Sequence, residues 1–240
     1  VNQPEIADQE TSSELYASRF SGGIGTFFLE IQETIVSKMI SLTQQRTPSV
    51  LEVGGGHGQL LNAYQKSAAK VTIIGSDDFC KKRIQHAIDV GDVSYITAPL
   101  NQLPFPDKTF DIVVSIRLLT HAHDWQRLVK EICRVSNHSV IIDYPSRFSF
   151  NILYTLLYPL KKASEKTTRP FVVFSDSEIK NTFAAEGFIV KQRTPQFLIP
   201  MVIYRKLKSP LIASVFEKIF RTLYLTQFFG SPTLICFSRS

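Results

Sequence analysis

The chain has 240 residues, 44% of them hydrophobic and 20% charged, with a formal net charge of +6. That length supports a full hydrophobic core, and the composition excludes a disordered or low-complexity protein. Three widely separated cysteines, Cys80, Cys133 and Cys236, form no CxxC pair, which argues against a disulfide framework and points to reduced thiols in a cytoplasmic protein.

The opening stretch, VNQPEIADQETSSELY, is polar and acidic and lacks the apolar core of a secretory signal. No run has the length and purity of a membrane span. Short β-branched runs then alternate with longer amphipathic ones. Strands are expected at Ser49–Val53, Lys70–Gly75, Val93–Ile96, Phe110–Ser115 and Ser139–Asp143, with helices at His57–Lys66, Cys80–Asp89 and Asp124–Val135. Such alternation predicts βαβ units and a parallel sheet with helices on both faces.

The remainder differs in character. Residues 1–140 hold 13 Lys and Arg against 15 Asp and Glu, whereas residues 141–240 hold 14 against 6 and carry 17 of the aromatic side chains. Ser175 and Glu178 form a capping-box pattern before a helix that Gly187 should end. GFIVKQR reads as a strand, Ser209–Phe229 as a helix with Pro210 in its first turn, and PTLICFSR as a last strand. The apolar residues of that helix recur as Leu211/Ile212, Val215/Phe216, Ile219/Phe220 and Leu223/Tyr224, a wide apolar stripe. Glu217, Lys218 and Arg221 near its middle argue against a span. Helix, strand, helix, strand suits an antiparallel end to a parallel sheet.

The stretch SVLEVGGGHGQLL concentrates what is unusual in the first part. Glycine in an ordered element costs up to about 1 kcal/mol relative to alanine, so this cluster implies a tight turn or a ligand close to bare backbone. In open parallel sheets ligands bind beyond the carboxyl ends of the strands. The spacing here is G-x-G-x-G at Gly54, Gly56 and Gly58, with Gln59 where a dinucleotide fold has its third glycine. Glu52, two residues before the first glycine, suits a positively charged ligand better than a pyrophosphate. Asp77 and Asp78 follow the second strand, where an acid can hold ribose hydroxyls or cap the next helix.

Together with LPFPDKTFDIVVS and LVKEICRV, these motifs resemble, in unbroken order from about Val50 to Asp143, the class I S-adenosylmethionine-dependent methyltransferases. The resemblance is to the methyltransferase-11-like group that includes the ubiquinone/menaquinone-type small-molecule enzymes. It implies an α/β, Rossmann-like, doubly wound sheet of seven strands, mostly parallel with an antiparallel last strand, and helical insertions covering the acceptor site. Residues 1–48 would be a helical cap, 49–144 the cofactor-binding core, and 145–240 the acceptor-side insertions and the antiparallel sheet end, all in one domain. Glu52 would face the methionine amino group, with Gly54, Gly55 and Gly56 leaving room for it. Asp77 would take the ribose hydroxyls, the backbone at Pro99 and Leu100 would meet the adenine edge, and Ser115 would line the sulfonium side. Tyr16 could close over the methionine end.

Two departures from the family pattern stand out. Pro99 occupies the place of an acid that accepts a hydrogen bond from adenine, so Asn101 or Gln102 would have to supply it. RVSNHSV replaces a Pro-Gly-Gly turn before the fifth strand, with Asn137 able to take turn geometry.

Methyl transfer asks the protein to align the acceptor and, where necessary, to remove its proton. Arg117, His121, His123 and Trp125 cluster after the fourth strand. His121 matches a histidine common in the family and is the candidate base; Arg117 could bind an acidic group. His57 suits the lining of the cofactor loop, and Asp143 and Tyr144 are further candidates. There is no metal-ligand cluster.

Segments 145–170 and 199–230 combine aromatic and basic residues, which suits a hydrophobic, negatively charged acceptor or weak contact with a membrane surface. Nucleic acid is not expected despite a pI near 9.2, because no Arg/Lys-rich recognition helix is present. The reading is a methyltransferase acting on a small molecule, hydrophobic or lipid-linked, with oxygen the first choice of receiving atom and nitrogen or carbon left open. The alternatives are a protein that binds the cofactor without turnover, as a partner subunit, and a nicotinamide oxidoreductase, against which Glu52 and the glycine spacing count.

Overall fold

The β-branched runs become strands because each lies between turn residues, and the central β1 and β4 bury both faces whereas β3 at the sheet edge is partly exposed. In the computed structural model, which describes residues 5–149 and 172–240, β1 (Ser49–Val53), β2 (Lys70–Gly75), β3 (Val93–Thr97), β4 (Phe110–Ser115) and β5 (Ser136–Tyr144) pair in parallel. With β6 (Phe188–Pro195) and β7 (Thr233–Arg239) they form one sheet of order β3-β2-β1-β4-β5-β7-β6. β7 is antiparallel to both neighbours. The order reverses beside β1, so the loops after β1 and β4 flank the switch point where open sheets bind ligands.

Side chains alternate between two cores, as a pleat of period two requires. Leu51, Val53, Val113, Val140 and Ile142 face α6 (Trp125–Val135) and α7 (Asp176–Ala185). Val50, Ile73, Ile112, Val114 and Ile141 face α3 (Gly22–Ser41) and α4 (Leu61–Lys66). Each such side chain contributes about 1.5–3 kcal/mol when fully buried. The loop before β4 is pinned by Arg134 of α6, which donates to the carbonyls of Leu103 (3.0 Å) and Phe105 (2.7 Å) while pairing with Glu131. The capping box of α7 forms, and Gly187 takes the left-handed conformation that ends it.

The structure corrects four expectations. Asn137 lies within β5 instead of in a turn before it. The helix after the glycine loop begins at Leu61 instead of His57, because residues 57–60 make a turn in which His57 Nδ1 accepts from the Gln59 N–H at 3.3 Å. The Cys80–Asp89 helix is a 3-10 helix, Asp78–Ile84, followed by α5 (Gln85–Asp89).

The long helix Ser209–Phe229 is two helices, α9 (Pro210–Thr222) and α10 (Leu225–Phe229), broken at Tyr224, which has φ +60°. The break sits where the Thr226 hydroxyl reaches Glu217 at 3.3 Å. Before them, α8 (Met201–Leu207) was not foreseen. The α8–α10 segment docks on α3 through Ile24, Phe28, Phe197, Tyr204 and Ala213, with Phe28 and Phe197 edge-to-face at 5.1 Å. At the N-terminal end, α1 (Ala7–Thr11) and α2 (Glu14–Ser18) precede α3. Most of the expected insertion 145–170 lies outside the described residues. Among the described residues no helix is long and apolar enough to cross a membrane.

Candidate active site

β1 delivers Glu52 to the floor of the glycine loop, where its side chain is 1% exposed. Neither carboxylate oxygen has a hydrogen-bond partner. Burial pushes its pKa up to about 8, opposed only by the Tyr64 hydroxyl, which lies close but outside hydrogen-bond geometry. A Cβ on Gly55 would overlap the Glu52 carboxyl group, so glycine there is required by the buried acid. Gly54 carries φ +78°, the left-handed region that side chains avoid. A desolvated carboxylate without donors is unfavourable unless a cation or donor arrives, and a ligand ammonium fits that demand.

The glycine loop is covered by residues 5–12. Asp8 of α1 accepts from the Ser76 N–H (2.8 Å) and the Ser76 hydroxyl (2.6 Å), just beyond β2. Its Cβ stands 3.3 Å from where a Cβ on Gly54 would be, and Ser12 Oγ is 2.8 Å from the corresponding point on Gly56. Ala7 packs into the same core as Val53, Leu100 and Leu118. Glu5 accepts from the His123 N–H at 2.8 Å. Residues 5–12 therefore bridge the ends of β1, β2 and β4, the three places from which a nucleoside cofactor would be held.

Asp77 caps the 3-10 helix, its Oδ1 accepting from the Phe79 N–H at 2.8 Å. The cap is thus Asp77, whereas Asp78 accepts from the Thr97 hydroxyl at 2.6 Å and pairs with Lys81 at 3.2 Å. Leu100 is fully buried in the main core and Pro99 is exposed. The Asn101 carbonyl accepts from Arg127, and Gln102 is exposed. Ser115, at the end of β4, is buried with its hydroxyl 3.4 Å from the Val53 carbonyl.

Beyond β4 the structure assembles a polar cluster that was legible only as separate candidates. Arg117 has φ +63° and is buried, its guanidinium 3.7 Å from the Phe20 ring centroid. It donates to Gln59 and, at 2.7 Å, to Gln32. Its backbone N–H donates to Asp143 at 2.5 Å. Among the described residues no carboxylate forms an ion pair with this guanidinium within 4.0 Å. Burial lowers the Arg117 pKa and raises Asp143 to about 6. Tyr16 lies in the same cluster, raised by burial against the nearby Arg117 charge. His57 falls to about 3, first by burial and then by Arg117, and stays neutral at physiological pH. Burial and the neighbouring positive charge of Arg19 lower Arg205 of α8, with Tyr16 and Arg117 also in range, so the insertion reaches this mouth.

His121 sits in a 3-10 turn, Leu119–His121, half-buried after β4. Trp125 packs edge-to-face on Phe174 at 5.1 Å, a core contact instead of a site contact. Tyr144 donates to Asp176 at 2.8 Å and ties β5 to α7. Gln32 and Asp8 were not singled out from the sequence, and Gln59 only as the residue in place of a third glycine; nothing local marks their roles, since each acts on a partner far away in the chain.

Residues 51–141 match the family model described as "Methyltransferase domain". A Mycobacterium tuberculosis protein described as "Probable S-adenosylmethionine-dependent methyltransferase" is 29% identical over 104 residues, 42% of this chain and 37% of that protein. The ubiquinone/menaquinone biosynthesis C-methyltransferase of Cronobacter sakazakii is 29% identical over 98 residues, 38% of this chain and 39% of that one. The matches thus span well under half the length of these relatives. Magnesium protoporphyrin IX methyltransferase from Synechocystis PCC 6803, solved with S-adenosylhomocysteine bound, superposes with TM-score 0.67 and 13% identity over 97% of both chains, a likeness of fold.

Proposed function

We propose that this chain, a class I S-adenosylmethionine-dependent methyltransferase in its core residues 51–141, transfers a methyl group to a small hydrophobic acceptor, with oxygen as the receiving atom. The observation that carries the reading is Glu52: a buried, unpartnered carboxylate under a glycine loop at the switch point of a sheet of this order. The cofactor, when bound, supplies an electrophilic methyl on a sulfonium.

Glu52 would receive the amino group of the methionine moiety. Arg117, a buried cation that forms no ion pair with a carboxylate among the described residues, would receive a carboxylate of cofactor or acceptor. Asp77 would exchange its cap for the ribose hydroxyls, and Leu100 and Ser115 would line the adenine and sulfonium sides. For any of this, residues 5–12 must withdraw from the cleft, because Asp8 and Ser12 stand against Gly54 and Gly56. Tyr16 and Phe20 then remain to close the methionine end. His121 and Asp143 are the two groups that could accept a proton from the acceptor; a carboxyl raised to about 6 is suited to that near neutral pH. The aromatic and basic α8–α10 segment supports a hydrophobic acceptor with negative charge.

The test is calorimetric binding of S-adenosylhomocysteine, with NAD as control, to the native chain and to Asp77→Ala and Glu52→Gln. Micromolar binding weakened about tenfold or more in both variants, without an NAD signal, supports the reading. Preference for NAD, or no binding, ends it. Binding with no transfer to any acceptor class would favour a non-catalytic partner subunit.

A further inference from the structure

Helix α9 is built inside out. Its inward face carries Ala213 and Glu217, both buried, whereas Leu211 (75% exposed), Val215 (49%) and Ile219 (47%) form an i, i+4 ladder toward solvent. The ladder continues past the helix end in Leu223 (60% exposed), with Phe228 of α10 (66% exposed) also outward. This orientation is fixed by the single acid of residues 196–232. The Glu217 carboxylate accepts from the Tyr204 hydroxyl (2.8 Å), the Leu198 N–H (3.0 Å) and the Thr226 hydroxyl (3.3 Å). Turning the apolar stripe inward would strip those donors from a carboxylate and expose the Tyr204 anchor. The outward stripe is therefore the stable arrangement.

The charge around the stripe identifies what it meets. Five cations belong to the same segment: Lys206, Lys208, Lys218 and Arg221 are exposed, Arg205 turns toward Arg19 and Tyr16 at the site, and the one acid is turned inward. The exposed surface of α8–α10 thus combines apolar side chains with positive charge alone. A second copy of the chain seated on this face across a two-fold axis would bring the same cations against one another, since such an interface presents one patch to itself. A polar groove for a soluble ligand would not offer an aliphatic ladder.

We propose that the α8–α10 face docks on the surface of an anionic phospholipid bilayer. Leu211, Val215, Ile219 and Leu223 enter the boundary between headgroups and acyl chains, and the exposed Lys206, Lys208 and Lys218 meet lipid phosphates. The contact is peripheral, since among the described residues no helix is long and apolar enough to span. This proposal stands independently of the methyl-transfer reading and needs no cofactor.

The experiment is co-sedimentation of the full chain with large unilamellar vesicles of phosphatidylcholine alone or with about one-third phosphatidylglycerol, alongside size-exclusion chromatography over a range of concentrations. Expected is binding at least tenfold stronger to the anionic vesicles, weakened by raising salt toward 0.5 M as screening shortens to a few Å. Lys218→Glu should weaken it about fivefold or more, the effect of one cation near such a surface. Leu211→Glu with Val215→Glu should abolish it, while circular dichroism and the melting temperature stay unchanged because both side chains are exposed. Absence of binding, equal binding to neutral vesicles, or undiminished binding by the double variant overturns the proposal. So does concentration-dependent dimerisation that the double variant removes, which would assign the face to a second copy.

Discussion

Asp8 and Ser76, 68 positions apart, make a two-point contact: one carboxylate oxygen takes the Ser76 N–H and the other its hydroxyl, at 2.8 and 2.6 Å. Through this contact a short helix at the start of the chain covers the carboxyl ends of β1 and β2. Residues 5–12 thus stand in front of the residues proposed to hold a cofactor.

Asp8→Ala removes both hydrogen bonds without touching a group assigned to the cofactor. A carboxylate hydrogen bond contributes about 1.5–3 kcal/mol, so the covering segment should release more readily. Expected are a lower melting temperature for the free protein and S-adenosylhomocysteine binding tightened about tenfold or more, read by calorimetry. Unchanged or weaker binding would mean that residues 5–12 do not compete with the cofactor.

Glu52 gives a pH signature with a defined sign. Burial raises it from an ordinary 4.5 to about 8, so the folded protein holds a proton that the unfolded chain releases. Its contribution to stability is complete below about pH 4.5 and is lost as pH rises through about 8. Glu52→Gln, which stays neutral, should show a smaller fall in melting temperature between pH 6 and 9 than the native chain. Binding of an ammonium-bearing ligand has the opposite sign, because it needs the ionised form. Affinity for S-adenosylhomocysteine should improve by up to about tenfold per unit from pH 6 to 8, and that slope should vanish in the variant.

Arg117 separates structural from ligand roles. Replacing it by Met keeps much of the volume and the contact with Phe20, but removes the buried cation. Should it receive a ligand carboxylate, binding weakens about tenfold to a hundredfold, the worth of a charge-assisted hydrogen bond, and decarboxylated analogues bind both proteins equally. Equal loss for ligands with and without a carboxylate would reduce Arg117 to a brace between Gln32 and Gln59.

The sheet was largely legible in the residues themselves. SVLEV, KVTIIG and FDIVVS become β1, β2 and β4 with the expected bounds, since a buried parallel strand writes its apolar run locally and turn residues punctuate it. The Ser175 cap and the Gly187 stop are local too. The glycine cluster announced a close approach to backbone, and the structure shows Glu52 beneath it.

What the sequence alone determined is thus what short-range chemistry encodes: strand runs, helix caps, the acid before the glycines, and the family resemblance that these carry in order. Tertiary structure alone decided which way the α9 stripe faces. A helical period marks an apolar face but not its direction, and here three donors gathered around Glu217 from Leu198, Tyr204 and Thr226 turned it outward. It also decided that Asp8 lies on Ser76 and that Arg117 sits among Gln32, Gln59 and Asp143. Partners separated by 26 to 85 positions leave no local pattern, because the energy that joins them exists only once the sheet has brought its strand ends together.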